Sequence, residues 1–370
     1  MNILVFSWRD TRHPLAGGAE QVMHEHMKGW IEAGYVVTFF SSSFPGAKSE
    51  EEIDGVKVIR KGSQYLTCHM AACLWYLFGK KEKYDLVVDE FHGWPFFTPL
   101  YVRVPKLAVI QELTKEVWFK YPLPFGLNFI FGAIGYILEP LFFVPYRNVE
   151  FMTGSESAKK ELETVGIKEK KITIIPHGVI LENVGKKFEK EKTKTVVFLG
   201  ALAKDKGIED AIKTFGILSK TDKYTFWIIG KGDKKYLKFL KGMVNQLNID
   251  VNFFGYVDQK KKFELLSKAH ILINPSTREG WGLVNIEANA CAVPVVSYTS
   301  PGLVDSVKNG VSGIVCSKNT PEELARTVDE VLKNSGKCKK LQKGALAWSA
   351  KFDWKNSKRL SLALTRKIGL

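Results

Sequence analysis

Residues 271–297 read ILINPSTREGWGLVNIEANACAVPVVS, and this stretch decides the fold. Ile271 to Asn274 form a short apolar run that reads as a strand. Pro275 and Ser276 end it. The loop TREGWG follows, and residues 283–292 then read as a helix. A second apolar run at 294–297 reads as the next strand. Gly280 and Gly282 let the backbone approach a ligand closely. The free amides and the positive end of the helix favour phosphate there. Glu279 lies in the loop and Glu287 about one turn into the helix. Carboxylates beside a phosphate site suit sugar or ribose hydroxyls, which a purely anion-binding pocket has no use for. The blander alternative is a helix cap with one solvated Glu, and spacing alone leaves both open.

The same alternation runs outward in both directions. Strand-like runs fall at 3–7, 36–42, 57–60, 86–89, 107–110, 151–153 and 172–175, and again at 195–199, 225–229, 251–254, 271–274, 294–297 and 313–316. Most are continuously apolar, the pattern of strands covered on both faces, hence an α/β fold with parallel sheets. At 370 residues the chain exceeds the roughly 250–300 at which one core stops growing. Residues 185–194, GKKFEKEKTK, have almost no apolar content and read as a linker. Gly17-Gly18 follow the first strand of one half, and Gly200 and Gly207 follow the first strand of the other. The expected architecture is two Rossmann-like domains facing across a cleft, with ligands beyond the carboxyl ends of the strands. The expected domains are 1–182, 183–350 and a closing helix at 351–370 that packs back on the first domain.

Charge divides unevenly between the halves. Residues 1–182 hold 20 Lys+Arg and 21 Asp+Glu, whereas residues 183–370 hold 34 and 18. The second half is therefore expected to meet the anion. The aromatics lean the other way: 15 fall between Phe91 and Tyr146, which marks the first half as the side for something greasy. The composition excludes a disordered chain, a collagen and a coiled coil. Cys68, Cys73, Cys291, Cys316 and Cys338 form no CxxC pair, which suits a reducing compartment. The opening strand follows no basic-then-apolar leader, so a cytoplasmic protein is expected. Two uncharged runs are long enough to question. Residues 62–79 place Leu66, His69, Met70, Cys73, Leu74 and Leu77 on one face, read as the buried face of an amphipathic helix. Residues 121–138, continuing to 146, reach the lower limit for a membrane span but contain prolines and glycines. A packed core helix is favoured there, ahead of an interfacial or acceptor-facing surface and of a true span.

Other segments carry weaker chemistry. In GALAKDKG, residues 200–207, Lys204 and Lys206 stand at a helix N-terminus, where the dipole discourages cations. An anionic ligand explains them better than helix stability does, and a solvated loop is the alternative. Gly230-x-Gly232 is a lone turn motif. Gly17-Gly18-Ala19-Glu20 opens a helix without GxGxxG or a P-loop. His24 and His26 point to different helix faces, so no metal site is expected. Ser155 reads as a helix cap.

Taken together, Gly17-Gly18-Ala19-Glu20, Gly200…Lys206-Gly207, Gly230-x-Gly232 and Glu279 with Glu287 eight positions on resemble family 4 of the retaining glycosyltransferases, which share the GT-B fold. The resemblance implies a nucleotide-sugar donor, such as a UDP- or GDP-sugar, with no metal and no other cofactor. It implies that Glu287 binds the ribose hydroxyls, that Glu279 meets the donor sugar, and that Lys206 neutralises the leaving diphosphate. Gly280, Trp281, Gly282 and Leu283 then offer backbone amides, Gly230 and Val257 lie near the base, and Gly17 and Gly18 contact the diphosphate. Three positions depart from the family pattern. Ala201 stands where Arg is common, with Lys204 as the neighbouring cation. Glu90 stands where a donor-contacting His is common, and His92 follows two residues later. Pro176-His177-Gly178 replaces Pro-Asn-Gly. Catalytic candidates are therefore Glu279, Lys206, His92 and Glu90. The expected acceptor is a glycan or lipid-linked molecule, with peripheral association at the inner face of an anionic membrane. A sugar-nucleotide epimerase or phosphorylase on the same fold is the alternative. A nucleic-acid partner is not expected, because no helix-turn-helix, RNP or zinc-finger pattern is present.

Overall fold

A computed structural model describes residues 1–64, 66–79, 82–120, 127–179 and 189–369. The chain forms two compact units, Met1–His177 with Trp354–Leu370, and Gly178–Asp353. The expected boundary at 182/183, most of the first half of the expected linker (185–188) and the start of the uncharged run (121–126) lie outside the described residues. The units part at 177/178 for a local reason. His177 belongs to the first, where its Nε2 lies 2.6 Å from Gln111 Oε1 and its ring stacks on Trp354. Val179 belongs to the second, where its N–H donates to the Phe352 carbonyl at 3.1 Å.

In the first unit, continuous apolar runs form the strands β1 (Asn2–Phe6), β2 (Val36–Ser41), β4 (Val56–Arg60), β5 (Leu86–Phe91), β6 (Lys106–Ile110), β7 (Glu150–Thr153) and β8 (Ile172–Ile174). They are joined by an edge strand β3 (Glu50–Ile53), in the order β3-β4-β2-β1-β5-β6-β7-β8. All pairs are parallel except β3 with β4. The strand β3 was not expected, since EEEI carries no apolar run. Asp54 and Gly55 both take positive φ, 49° and 82°, and close it as a tight hairpin. Three glutamates on an edge also discourage pairing with another chain.

Helix α1 (Gly18–Glu32) covers one face of this sheet together with α12 (Trp354–Gly369). The two helices meet closely at Gly29, where a Cβ would lie 2.7 Å from Lys358 Cβ. Trp30 Nε1 donates to Ser361 Oγ at 3.2 Å, and Lys358 pairs with Glu25 and Glu32. The chain thus returns to its first unit from Trp354 onward, whereas Trp348 belongs to α11 (Ser335–Ser349) in the second. On the other face lies α2 (Leu66–Phe78), and here the sequence reading is corrected. Cys68 and Ala72 are buried, but Met70, Leu74 and Leu77 are exposed. With no charged residue in the segment, periodicity alone could not tell which apolar stripe faces in. A second correction concerns α3 (Leu127–Phe142). It is not a packed core helix, because most of its large apolar side chains are exposed. Ser155 caps α4 (Glu156–Thr164) by accepting from the Ala158 N–H at 3.1 Å.

Two histidines are buried against α12. Burial pulls the His26 imidazole down to about 4, aided by the Lys358 charge. Burial pulls His177 down to about 3, aided by His26. Both are bases held neutral, so the folded state binds fewer protons than the unfolded chain. Their contribution is intact above the ordinary histidine value and is lost as pH falls below it toward the folded values. The expected loss is on the order of 1 kcal/mol per pH unit per histidine between roughly pH 6 and 4. Urea melts of wild type and His26→Leu between about pH 7 and pH 5 check this. The variant should show a flatter acid limb, and equal slopes would contradict the assignment.

The second unit repeats the pattern. Its strands are β9 (Thr195–Leu199), β10 (Thr225–Ile229), β11 (Val251–Gly255), β12 (Ile271–Asn274), β13 (Val295–Ser297) and β14 (Gly313–Val315). They run parallel in the order β11-β10-β9-β12-β13-β14. Helices α5 (Ile208–Leu218) and α10 (Pro321–Lys333) pack one face. Helices α7 (Gln259–Lys268) and α8 (Leu283–Ala290) pack the other. Helix α6 (Lys234–Gln246) follows β10, and the short α9 (Leu303–Ser306) follows β13.

Candidate active site

In the second unit the strand order reverses between β9 and β12, the switch point beyond which ligands bind in such sheets. The loops leaving these two strands, 200–207 and 275–282, are locked together there. Gly207 has φ +69°, and a Cβ on it would stand 2.1 Å from the Pro275 carbonyl oxygen, so only glycine fits. Thr277 N–H donates to the Asp205 carbonyl at 2.9 Å. This contact brings Lys206 Nζ to 2.9 Å from Glu279 Oε1, which also accepts from Ser276 Oγ at 3.0 Å. Two residues from separate motifs therefore share one charge pair, each side chain still partly open to solvent.

Helix α8 starts directly beside this pair. Its first residue follows Gly282, at φ +83°, and no side chain caps it. Of the other helices in this unit, α5 also starts at an uncapped glycine, Gly207, whereas α6, α7, α10 and α11 are capped by Asp233, Asp258, Thr320 and Asn334. The first-turn amides of α8 thus lack the carboxylate or hydroxyl that such helices usually carry. An anion resting there gains both the amides and the dipole. Gly280 and Leu283 flank this opening. The Trp281 ring is packed edge-on against Phe352 at 5.1 Å, so what Trp281 can offer a ligand is backbone. Behind the loop, Asn274 Nδ2 donates to Asn285 Oδ1 and Asn285 Nδ2 to Ser306 Oγ, both at 2.9 Å. This buried relay fixes the loop on the helix.

Glu287 lies on α8 and is buried. It is paired with Lys262 of α7, whose side chain is largely covered as well. The sequence reading missed Lys262, because it stands in the run Lys260–Lys261–Lys262 and looks like a solvated charge. Gly230 sits against Gly200, whose carbonyl oxygen lies 1.8 Å from where its Cβ would be. Val257 is half-buried on the core beneath α7. Lys204 is exposed at the rim.

In the first unit the reversal falls between β1 and β5. Glu20 folds back onto the start of α1, where its Oε2 accepts from the Gly17 N–H at 2.6 Å. The Gly17 amide is therefore already engaged, while Gly17 and Gly18 remain exposed. Arg9, which the sequence reading did not single out, organises the rest. Its Nε lies 2.7 Å from Glu20 Oε1, and its Nη2 donates to His92 Nδ1 at 3.3 Å. Arginine is always a donor, so His92 Nδ1 accepts and the ring proton sits on Nε2. That nitrogen lies 3.6 Å from both Glu20 Oε1 and Glu90 Oε1. Glu90 is fully buried and neither of its oxygens accepts a hydrogen bond. Neighbouring Asp89 points to the opposite face. It accepts from Thr98 and Phe96 N–H and from Tyr146, holding the turn after β5. Burial raises its carboxyl above the usual range.

Arg9→Ala leaves the buried Glu20 carboxylate without its cation. A loss of about 1–3 kcal/mol in urea unfolding is expected, with partial recovery in Arg9→Lys, which supplies charge but no fork. Among the described residues, no group of three or more His, Cys, Asp or Glu is arranged to hold a metal ion.

Known proteins resemble this chain in sequence and in fold. The model for Glycosyltransferase Family 4 matches residues 16–183, and that for Glycosyl transferases group 1 matches residues 180–348. An uncharacterized glycosyltransferase of Methanocaldococcus jannaschii is 30% identical over 161 residues, 43% of this chain and 44% of the relative. The chain spans about half the length of the curated relatives it matches. Among solved structures, sucrose-phosphate synthase of Thermosynechococcus elongatus superposes with a TM-score of 0.83 at 20% identity, covering 99% of this chain and 98% of the other. Anabaena HepE in complex with UDP-glucose gives 0.74 at 16% identity, covering 99% of each. At these identities the likeness establishes the fold, of the GT-B class. With one family model taking up where the other ends, at the start of the second unit, the chain belongs to the group 1, family 4 glycosyltransferases.

Proposed function

We propose that the protein transfers a glycosyl group from a nucleoside diphosphate sugar to an acceptor hydroxyl, with retention at the anomeric carbon. The observation that carries this reading is the Lys206–Glu279 pair beside the uncapped start of α8. In the reaction the bond between the anomeric carbon and the diphosphate oxygen breaks, and the acceptor oxygen forms its bond on the same face of the sugar. Negative charge grows on the leaving diphosphate. Lys206 and the α8 amides answer it without reorganisation. Glu279 faces the sugar hydroxyls, and Glu287, held by Lys262, takes the ribose. Retention is supported by the family resemblance, and the donor class by HepE having been solved with UDP-glucose.

The acceptor is a glycan or lipid-linked molecule on the side of the aromatic first unit, and the enzyme works in the cytoplasm at a membrane face. Five free cysteines, all at least half-buried, are compatible with a reducing compartment. Neither a metal nor a separate cofactor is part of the reading.

A thermal-shift screen against UDP, GDP, ADP and their sugars tests it. A ligand present at about a hundredfold its Kd stabilises the fold by about 2.7 kcal/mol. Product analysis with one labelled donor then separates transfer from epimerisation, which needs no acceptor, and from phosphorolysis, which needs phosphate. No stabilisation by any nucleotide and no turnover would reject the proposal.

A further inference from the structure

Helix α3 is built inside out. Its inward positions are Gly132, Gly135, Glu139 and Phe142, spaced on one helical face. The two glycines press onto the turn before the helix: a Cβ at Gly132 would stand 2.7 Å from the Phe119 ring, and one at Gly135 2.6 Å from Trp118. Glu139, the only charged residue of the helix, is 3% exposed. It is consumed internally, accepting from Thr114 N–H at 2.6 Å, Lys115 N–H at 2.8 Å and Trp118 Nε1 at 3.2 Å. The large apolar residues point away from the protein: Phe129, Ile130, Phe131, Ile134, Ile137 and Leu141 are exposed, Ile137 by 70%. A surface helix in water shows the reverse arrangement, apolar in and charged out.

The patch continues beyond α3. Trp94, 44% exposed, packs at a tilt against Phe142 at 4.8 Å and offers its carbonyl 3.2 Å from His69 of α2. The exposed Met70, Leu74 and Phe78 of α2 extend it. Neither helix presents a charged side chain on its outer face. The exposed charges next to the two helices are of both signs: Lys61 precedes α2, Glu82, Lys83 and Asp85 follow it, Glu116 lies on the turn before α3 and Arg147 follows α3. Protein interfaces carry about one hydrogen bond per 100–200 Å² and a polar rim, whereas this face has almost nothing to donate or accept. Lipid tails ask for neither. The helical stretch Asn128–Tyr146 is long and apolar enough to cross a bilayer, but its face of Gly132, Gly135 and Glu139 is occupied by protein, which leaves only the opposite face for lipid.

We infer that α3, with Trp94 and the outer face of α2, lies in the plane of a lipid bilayer, its Phe and Ile side chains among the acyl chains and Lys61 and Arg147 at the level of the headgroups. This does not depend on the transferase reading: vesicle binding and donor turnover are separate measurements.

The full chain is mixed with vesicles of phosphatidylcholine alone and with about a third phosphatidylglycerol, then sedimented. Binding is expected to both, with a blue shift of tryptophan emission. The double variant Ile130→Glu, Ile137→Glu alters only exposed positions and should melt like wild type, yet partition at least tenfold more weakly. Phe239→Glu, at an exposed site on α6, should bind like wild type. Three results would overturn the inference: no binding to either vesicle, unchanged binding by the double variant, or a wild-type dimer that the double variant dissociates without any vesicle binding, which would assign the face to a second copy.

Discussion

Lys206→Ala should lower the turnover number for glycosyl transfer by about 10²–10³-fold, the range seen when one pre-positioned group opposite a developing charge is removed. The fold should scarcely notice. The Lys206 side chain is 25% exposed, and an ion pair that open contributes at most about 1 kcal/mol. Lys206→Arg keeps the charge but not the shape, and should fall between the two. The companion change Glu279→Ala frees Lys206 from its 2.9 Å partner and removes the group facing the sugar, so turnover should drop while nucleotide affinity changes little. Steady-state transfer with thermal melts of each variant separates these effects. If Lys206→Ala turns over within about twofold of wild type, the lysine is not the group that receives the leaving diphosphate.

Glu287→Ala should act on binding rather than on turnover. Removing the carboxylate leaves Lys262 largely buried without its partner, at a cost of about 1–3 kcal/mol in stability. It also takes away the acceptor for the ribose hydroxyls, so nucleoside diphosphate affinity should fall about 10–100-fold, or 1.4–2.7 kcal/mol. The two consequences can be told apart. Lys262→Met should reproduce the stability loss, and the double variant Glu287→Ala, Lys262→Met should recover part of it, because no unpaired charge is left behind. Nucleotide affinity should stay low in that double variant. Retained affinity in Glu287→Ala would show that the ribose is held elsewhere.

The strands of both sheets were legible because buried parallel strands need unbroken apolar runs, and β1, β9 and β12 carry them plainly. The strand β3 was not, since an edge hairpin closed by Asp54-Gly55 needs no such run. Glu279, Glu287 and Lys206 stood out because glycines beside them mark where a backbone must come close to something. Arg9 and Lys262 did not, because an arginine in a loop and a lysine in a row of three look like solvent-facing charge. Only the fold shows that one bridges Glu20 and His92, and that the other is buried against Glu287.

The sequence by itself determined the α/β class, the paired strand–glycine–helix units and the carboxylates and lysine of the second half, since these follow from local periodicity and from glycine's freedom. The tertiary structure alone decided which side of an apolar helix faces the core, and which charges are buried together. Both α2 and α3 lack an outward charge to mark the wet side. Where a helix has no polar stripe, its orientation is set by the neighbours it packs against, and those come from distant parts of the chain.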